Sequence, residues 1–399
     1  MNRRSLFKLA GAFSALGFGR GAAAAAAARP PSVYAGLGVR PFINAAGTYT
    51  VLSASLMPKA VADAMQEASS AHVSIPELQE AVGKRIAALL GCEAALVTAG
   101  CAAALAQATA ACVTGKDPAK IRRIPDTTGM KNEVIFQKSH RFGYDHAIRG
   151  AGMKIVEIET REELEAAANE RTAMVFFLNT ADPQGKIRRE EFAQIANRLK
   201  IPALIDAAAD LPPAENLRAF TRMGYDLAAF SGGKGLRGPQ CSGLLLGKKE
   251  LIEAAFLNGP PHSDSLVRGA KVGKEEIIGL YRALELYWKT DHQAEWAEWQ
   301  RRVTVIEREL ARVPGVKTQV FVPEIANHSP HLNVQWDQAK LPLTPKEVVE
   351  NLRSHDPRIE LRPGSEQSKN GLDISVWMLR LGEEKIVARR FREALSAVH

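Results

Sequence analysis

The 399-residue sequence predicts an α/β protein: a large domain on a seven-stranded, mainly parallel sheet, followed by a small α+β C-terminal domain. Three observations predict it. Between about residues 58 and 255 helical and strand-like patterns alternate, the pattern of a parallel sheet wrapped by helices. Seven strand-like segments fall in that stretch, near 94–98, 133–137, 154–158, 174–178, 203–206, 226–230 and 243–247. The length is generous for one domain and natural for two.

The first 28 residues stand apart from this fold. Asn2-Arg3-Arg4-Ser5-Leu6-Phe7-Lys8 has the twin-arginine pattern of an export signal, followed by an apolar stretch over 9–18 and a small-residue run over 21–28 suited to processing. The apolar part is too short to span a membrane, which takes about 20 residues. The expectation is a periplasmic protein that meets the twin-arginine translocase during export, carries any cofactor with it already folded, and keeps no membrane anchor after processing. Arg3, Arg4, Lys8 and Arg20 supply four of the eight net positive charges, leaving +4 on the rest of the chain. A balance that mild is no nucleic-acid footprint.

Residues 29–57 read as an N-terminal arm, 58–255 as the large domain, 256–290 as an interdomain helix and 291–399 as the small domain. In the large domain, 77–90 has helical rhythm, with Leu78, Val82, Ile86 and Leu89 on one face and Gly91 as a stop. The helix-rich stretch 274–310 carries Trp288, Trp296 and Trp299, expected to pack between domains or subunits. Strands are expected over 316–322, 331–334 and 374–381, then a closing helix over 383–397. Cys92, Cys101, Cys112 and Cys241 form no C-x-x-C pair and no metal-like spacing. On one helix Cys101 and Cys112 would stand roughly 16 Å apart, beyond disulfide reach. All four read as small buried or cofactor-side residues, and no catalytic metal is implied.

The most constraining segment is Ser231-Gly232-Gly233-Lys234-Gly235-Leu236-Arg237-Gly238-Pro239-Gln240. It is not a phosphate loop, because Gly235 follows the lysine and Pro239 soon interrupts. A lysine held by glycines at the end of a buried strand is partly desolvated and its amine is free to attack an aldehyde, as a Schiff-base lysine must. The alternative is a plain surface turn. Asp206 closes the short strand 203–206, 28 residues earlier, where an acid faces the ligand crevice of an open α/β sheet. A carboxylate there suits the pyridine nitrogen of pyridoxal 5'-phosphate (PLP), and its plainer reading is a helix N-cap. Gly100, Cys101 and Ala102 turn strand 94–98 into an alanine-rich helix and form a candidate phosphate cup. His140, just past strand 133–137, is a candidate to stack on the cofactor ring, with His146 as its competitor.

In these features the chain resembles the selenocysteine synthase (L-seryl-tRNA selenium transferase) family, within the fold-type I, aminotransferase class V-like PLP enzymes. The lysine segment carries the resemblance, with Gly243, Gly247, residues 41–48, Glu77-Leu78-Gln79 and the run 271–276. The arginine in Lys234-Gly235-Leu236-Arg237-Gly238-Pro239-Gln240 is similar to the branch related to D-glucosaminate-6-phosphate ammonia-lyase. The resemblance implies Lys234 as the Schiff-base lysine, Asp206 on the pyridine nitrogen, His140 on the ring, and Gly100, Cys101, Ala102 and Ser231 around the phosphate. It also implies Arg237 and Arg380 as partners for substrate anions. The branch favours α,β-elimination of the ammonia-lyase type on a small amino acid or amino sugar acid. The alternatives are seryl-tRNA selenium transfer by β-replacement and an amino-acid racemase or epimerase. Fold-type I enzymes build their sites at subunit interfaces, so a homodimer or larger ring is expected. Selenocysteine synthases carry a tRNA-binding domain ahead of the core, whereas here the core-like 33–48 segment directly follows the leader, which weighs against a tRNA substrate.

Overall fold

The computed structural model describes residues 33–363 and 371–396, so the twin-arginine leader lies outside the described residues. A short N-terminal unit ends at Pro41, and its described residues form a 3-10 turn, Ala35–Leu37. The body runs from Phe42 onward.

The body's first strand, β1 (Phe42–Asn44), is followed by helices α1 (Lys59–Ser69) and α2 (Ile75–Leu90). Local signals fix the ends of α2: the Ser74 side chain accepts the Glu77 N–H, Pro76 sits in the first turn, and Gly91 closes it at φ 67°. Seven strands then form one sheet: β2 (Ala94–Thr98), β3 (Glu133–Gln137), β4 (Lys154–Ile158), β5 (Thr172–Leu178), β6 (Ala203–Asp206), β7 (Leu227–Ser231) and β8 (Gly243–Gly247). Their order is β2-β8-β7-β6-β5-β3-β4; β8 runs antiparallel to both neighbours and the other pairs are parallel. This is the α/β fold with a mainly parallel seven-stranded sheet that the sequence predicts.

Helices cover both faces, so the central strands are buried throughout, and β5 exposes none of its seven residues. Successive residues feed opposite cores. Ile135, Phe177 and Ile205 join one with α2, while Phe136, Phe176 and Leu204 join the other with helix α3 (Cys101–Thr114). The helix Lys274–Lys289 sends Ile277, Leu280, Leu284 and Tyr287 into the α2-side core, so its apolar face belongs to the large layer. Trp288 lies partly buried there with the Arg218 guanidinium 4.1 Å over its ring.

A second, antiparallel sheet follows, made of β9 (Val316–Phe321), β10 (His331–Trp336), β12 (Arg362–Pro363) and β13 (Gly371–Ser375) in the order β12-β13-β10-β9. The strand β11 (Arg358–Glu360) instead pairs in parallel with β1, placing Ile43 opposite Ile359. Both isoleucines enter a third core with Trp299, Val334, Ile374 and Phe391. The strand expected over 374–381 stops at Ser375. Ser375 pairs with His331, the first residue of β10, so the ladder ends there, and beyond it the Arg302 guanidinium donates to the carbonyls of Val376 and Leu379, at 3.4 and 2.5 Å. The four cysteines are free, and Cys241 is exposed rather than buried because it lies on the turn leading into β8.

Candidate active site

The site lies at the carboxyl edge of the large sheet. β6 and β7 run parallel, and β2 joins them in direction because β2 and β7 both oppose β8. Asp206, Ser231 and the Gly100 turn therefore leave the sheet at one edge.

Lys234 sits on a tight turn after β7. The Gly232 N–H donates to the Ser242 carbonyl (2.8 Å), and the Gly238 N–H to the Gly232 carbonyl (2.8 Å). The flanking glycines are needed for close approach: a Cβ on Gly233 would stand 2.6 Å from Gln240 Cα, and one on Gly235 2.3 Å from the Leu211 carbonyl oxygen. Ser55 ties the turn to the N-terminal segment through its Oγ and N–H, both donating to the Gly233 carbonyl. Half-buried Lys234 opens into a cavity of about 890 Å³, walled by Ala46–Thr50, Thr180, Pro183, Gln184, the 321–327 loop and the small sheet. The 321–327 loop reaches back to the large sheet, where the Asn327 N–H donates to the Ala209 carbonyl (2.8 Å).

Asp206 is 4% exposed. Burial raises its pKa, opposed by the Ala208 N–H (2.9 Å), the Lys234 charge and the Cys101 thiol (3.7 Å). Four residues on stands Asp210, which the sequence reading passed over. Burial pushes its carboxyl up to about 7. The signal available was a second acid in Asp206-Ala207-Ala208-Ala209-Asp210.

Gly100, at φ 92°, begins α3 without a side-chain cap, so the first N–H groups of the helix are open to an anion. Ser231 pairs with Gly243 across the ladder, and Gly243 abuts Gly100 so closely that a Cβ on it would lie 2.4 Å from the Gly100 carbonyl carbon. Gly100, Cys101, Ala102 and Ser231 are thus gathered at one place. The cup is made of backbone, because the Cys101 side chain turns inward to Asp206.

The histidine expectation is corrected. His140 is fully buried: the Leu178 N–H donates to its Nδ1 (3.1 Å), the Gln137 amide lies 3.1 Å from its Nε2, and its ring meets Phe177 edge-on at 4.4 Å. The turn after β3 folds it over the end of β5, leaving no face open to a cofactor ring. Desolvation lowers its pKa to about 4. His146 is exposed and neighbours Arg149. Tyr49 and Tyr144 are the aromatic side chains with a ring-bearing hydroxyl on the cavity wall.

The arginines also move. Arg237 and Arg380 line a separate cavity of about 250 Å³ together with Glu295, Glu298 and Arg302. A left-handed backbone at Arg237 (φ 56°) directs its Nε to the Leu56 carbonyl, 3.1 Å away. The guanidinium on the lysine cavity belongs to Arg362, 5.6 Å over the Tyr49 ring. Trp377 lines both cavities. Nothing local marks Arg362, since its position depends on the β12–β13 pairing.

The chain is similar to several known proteins. The sequence profile described as L-seryl-tRNA selenium transferase matches residues 42–313. D-glucosaminate-6-phosphate ammonia lyase of Salmonella typhimurium (strain 14028s / SGSC 2262) is 30% identical over 375 residues, covering 91% of this chain and 98% of that protein. The 5'-C-glycyluridine monooxygenase-decarboxylase of Streptomyces sp is 29% identical over 375 residues, covering 91% and 92%. The solved structure of a D-glucosaminate-6-phosphate ammonia-lyase superposes with a TM-score of 0.79 at 29% identity, covering 92% of this chain and 99% of that one.

Proposed function

Because the chain belongs to the L-seryl-tRNA selenium transferase family of PLP-dependent, fold-type I enzymes, we propose that it performs an α,β-elimination of the ammonia-lyase type on a small amino acid or amino sugar acid. The observation that carries this reading is Lys234, bracketed by glycines and opening into the large cavity beside Asp206.

The residues present suit the cofactor. Buried side-chain atoms of Asn179 and Asp210 have no partner among the described residues, and the start of α3 is uncapped, as a site shaped for a polar, phosphate-bearing group requires. When bound, PLP draws the electrons of a broken α bond into its ring. Lys234 would hold it covalently, and its amine, when free, would be the nearest base for the substrate's α proton. Asp206 keeps a proton on the pyridine nitrogen. The backbone of Gly100, Cys101 and Ala102, with Ser231, receives the phosphate, and Arg362 receives a substrate anion. Departure of a β-hydroxyl with a proton as water, followed by hydrolysis of the resulting imine by a second water, would yield ammonia and a keto acid.

Tyr49, Tyr144 and Val322 line the cavity yet are exposed, and Val51, Leu56 and Met57 continue the apolar surface. That surface supports a homodimer closing over the site. Export by the twin-arginine route to the periplasm rests on the leader. No described helix is long and apolar enough to cross a membrane.

A panel of D- and L-hydroxy amino acids and amino sugar acids, assayed for ammonia with wild type and Lys234→Ala, tests the reaction. Ammonia release that disappears in the variant is expected. Racemisation without ammonia overturns it, and so does release of carbon dioxide with oxygen uptake, the outcome that the 29% identity to a monooxygenase-decarboxylase favours. Fractionation, with Arg3 and Arg4 changed to lysine, tests export.

A further inference from the structure

Asp210 is 1% exposed, on the turn that leaves β6. Its backbone is tied down, with the N–H donating to the Ala207 carbonyl (3.2 Å) and the carbonyl accepting from Asn216 Nδ2 (2.8 Å). Its carboxyl is not. Among the described residues neither Oδ1 nor Oδ2 has a hydrogen-bond partner, and Nδ2 of neighbouring Asn179 is unpartnered as well. The Asn179 amide is near enough to lower the pKa of the carboxyl, yet the two close no hydrogen bond between them. A donor and an acceptor, both buried, stand side by side without closing on each other, which marks groups reserved for something else.

The contrast with Asp206 says in which form. Asp206 receives the Ala208 N–H and the Cys101 thiol, donors that stabilise a carboxylate. Asp210 has only the Asn179 amide nearby, with no closed hydrogen bond at either oxygen. The charged and titratable groups facing Asp210 are Asp206 from β6, Lys234 from the turn after β7, Arg189 from the helix Arg189–Leu199 and Cys101 from α3. Desolvation, the largest effect, and the Asp206 charge oppose its ionisation, while the Asn179 amide and the two cations favour it. When two neighbouring buried carboxyls compete, the one with donors keeps the charge.

We propose that Asp210 is a second working carboxyl of the site, protonated while Asp206 is ionised, and that with the Asn179 amide it donates hydrogen bonds to the polar edge of the bound pyridoxal ring. This rests on the PLP reading above. Its titration near 7 agrees with the role. Above that pH, binding the cofactor has to take up one proton at Asp210, so affinity falls with pH, approaching tenfold per unit.

The test is equilibrium binding of PLP to the cofactor-free protein from pH 6 to 9, for wild type, Asp210→Asn and Asp210→Ser, with borohydride fixation at Lys234 read in parallel by peptide mass. Asn mimics the protonated acid. It is expected to bind as wild type does at pH 6 and to lose the extra alkaline decline, while Ser binds more weakly and equally without that decline. In the cofactor-free protein, the midpoint of thermal unfolding of Asp210→Asn rises relative to wild type between pH 4 and 8. An alkaline slope in Asp210→Asn equal to that of wild type, or no change in relative melting, overturns the inference. Lys234 labelled with the slope unchanged sinks only the role of Asp210; Lys234 unlabelled in wild type sinks the PLP reading as well.

Discussion

The thiol sulfur of Cys101 lies 3.7 Å from Oδ1 of Asp206, joining the first residue of α3 to the last residue of β6. Burial holds the thiol well above its ordinary range, and the Asp206 carboxylate pushes the same way, so the sulfur keeps its proton and serves as a donor. A hydrogen bond to a charged acceptor contributes about 1.5 kcal/mol or more. Cys101→Ala is therefore expected to weaken PLP binding roughly tenfold, and Cys101→Ser to restore most of it, in absorbance titrations. Iodoacetamide should modify exposed Cys241 first and leave Cys101 untouched in the folded protein.

Gly243 lets β8 pass close beneath the Gly100 turn, where the phosphate cup is proposed. A methyl there would meet the Gly100 carbonyl carbon at 2.4 Å and Thr98 Oγ1 at 2.7 Å, and backbone has to move to admit it. Gly243→Ala should cost roughly 1–3 kcal/mol in urea unfolding, as overpacking does. It should also impair phosphate binding more than any surface substitution. A variant that melts and binds PLP as wild type does would show that the cup is looser than this contact implies.

The large sheet was legible because each strand announces itself as a short apolar run, and because glycines at 233, 235 and 243 mark points where backbones nearly touch. Side-chain direction after a strand end was not legible. His140 and Asp210 both follow strands by a few residues, yet the turn dihedrals send one imidazole under β5 and leave one carboxyl without partners beside Lys234. Pairings between distant segments were invisible for a different reason. β1 against β11 joins Ile43 to Ile359. Neither three-residue strand has a pattern of its own; the pairing ends at Glu360, the buried last residue of β11, which Arg353 and Arg358 hold.

His140 gives the protein an acid-side weakness. Its folded pKa of about 4 lies below the ordinary value of 6.5, so the folded state binds fewer protons than the unfolded chain between those pH values. The stabilisation is complete above 6.5 and is lost as pH falls towards 4, by at most about 3 kcal/mol. His140→Gln, which keeps an acceptor for the Leu178 N–H, should lose less stability than wild type between pH 7 and 4. Urea midpoints measured across that range decide it; parallel curves for the two proteins would remove His140 from the account.

Arg362 and Arg380 offer a direct comparison between two guanidinium groups in different cavities. Arg362 shares a wall with Lys234, at the rim formed by β12, while Arg380 lies in the side cavity, with Glu383 4.0 Å from its Nε. An anionic substrate bound at the lysine meets the first and not the second. Charge-assisted contacts to an anion contribute about 1.5–3 kcal/mol, so Arg362→Ala should raise KM by roughly 10–150-fold while leaving PLP absorbance in place. Arg362→Lys should recover only part of it, because a point charge replaces a planar fork. Arg380→Ala should leave KM within about twofold, since a half-exposed pair contributes little. The reverse ranking would move the anion subsite behind Trp377, into the cavity of Arg237 and Arg302, and would make Trp377 the wall that the substrate crosses.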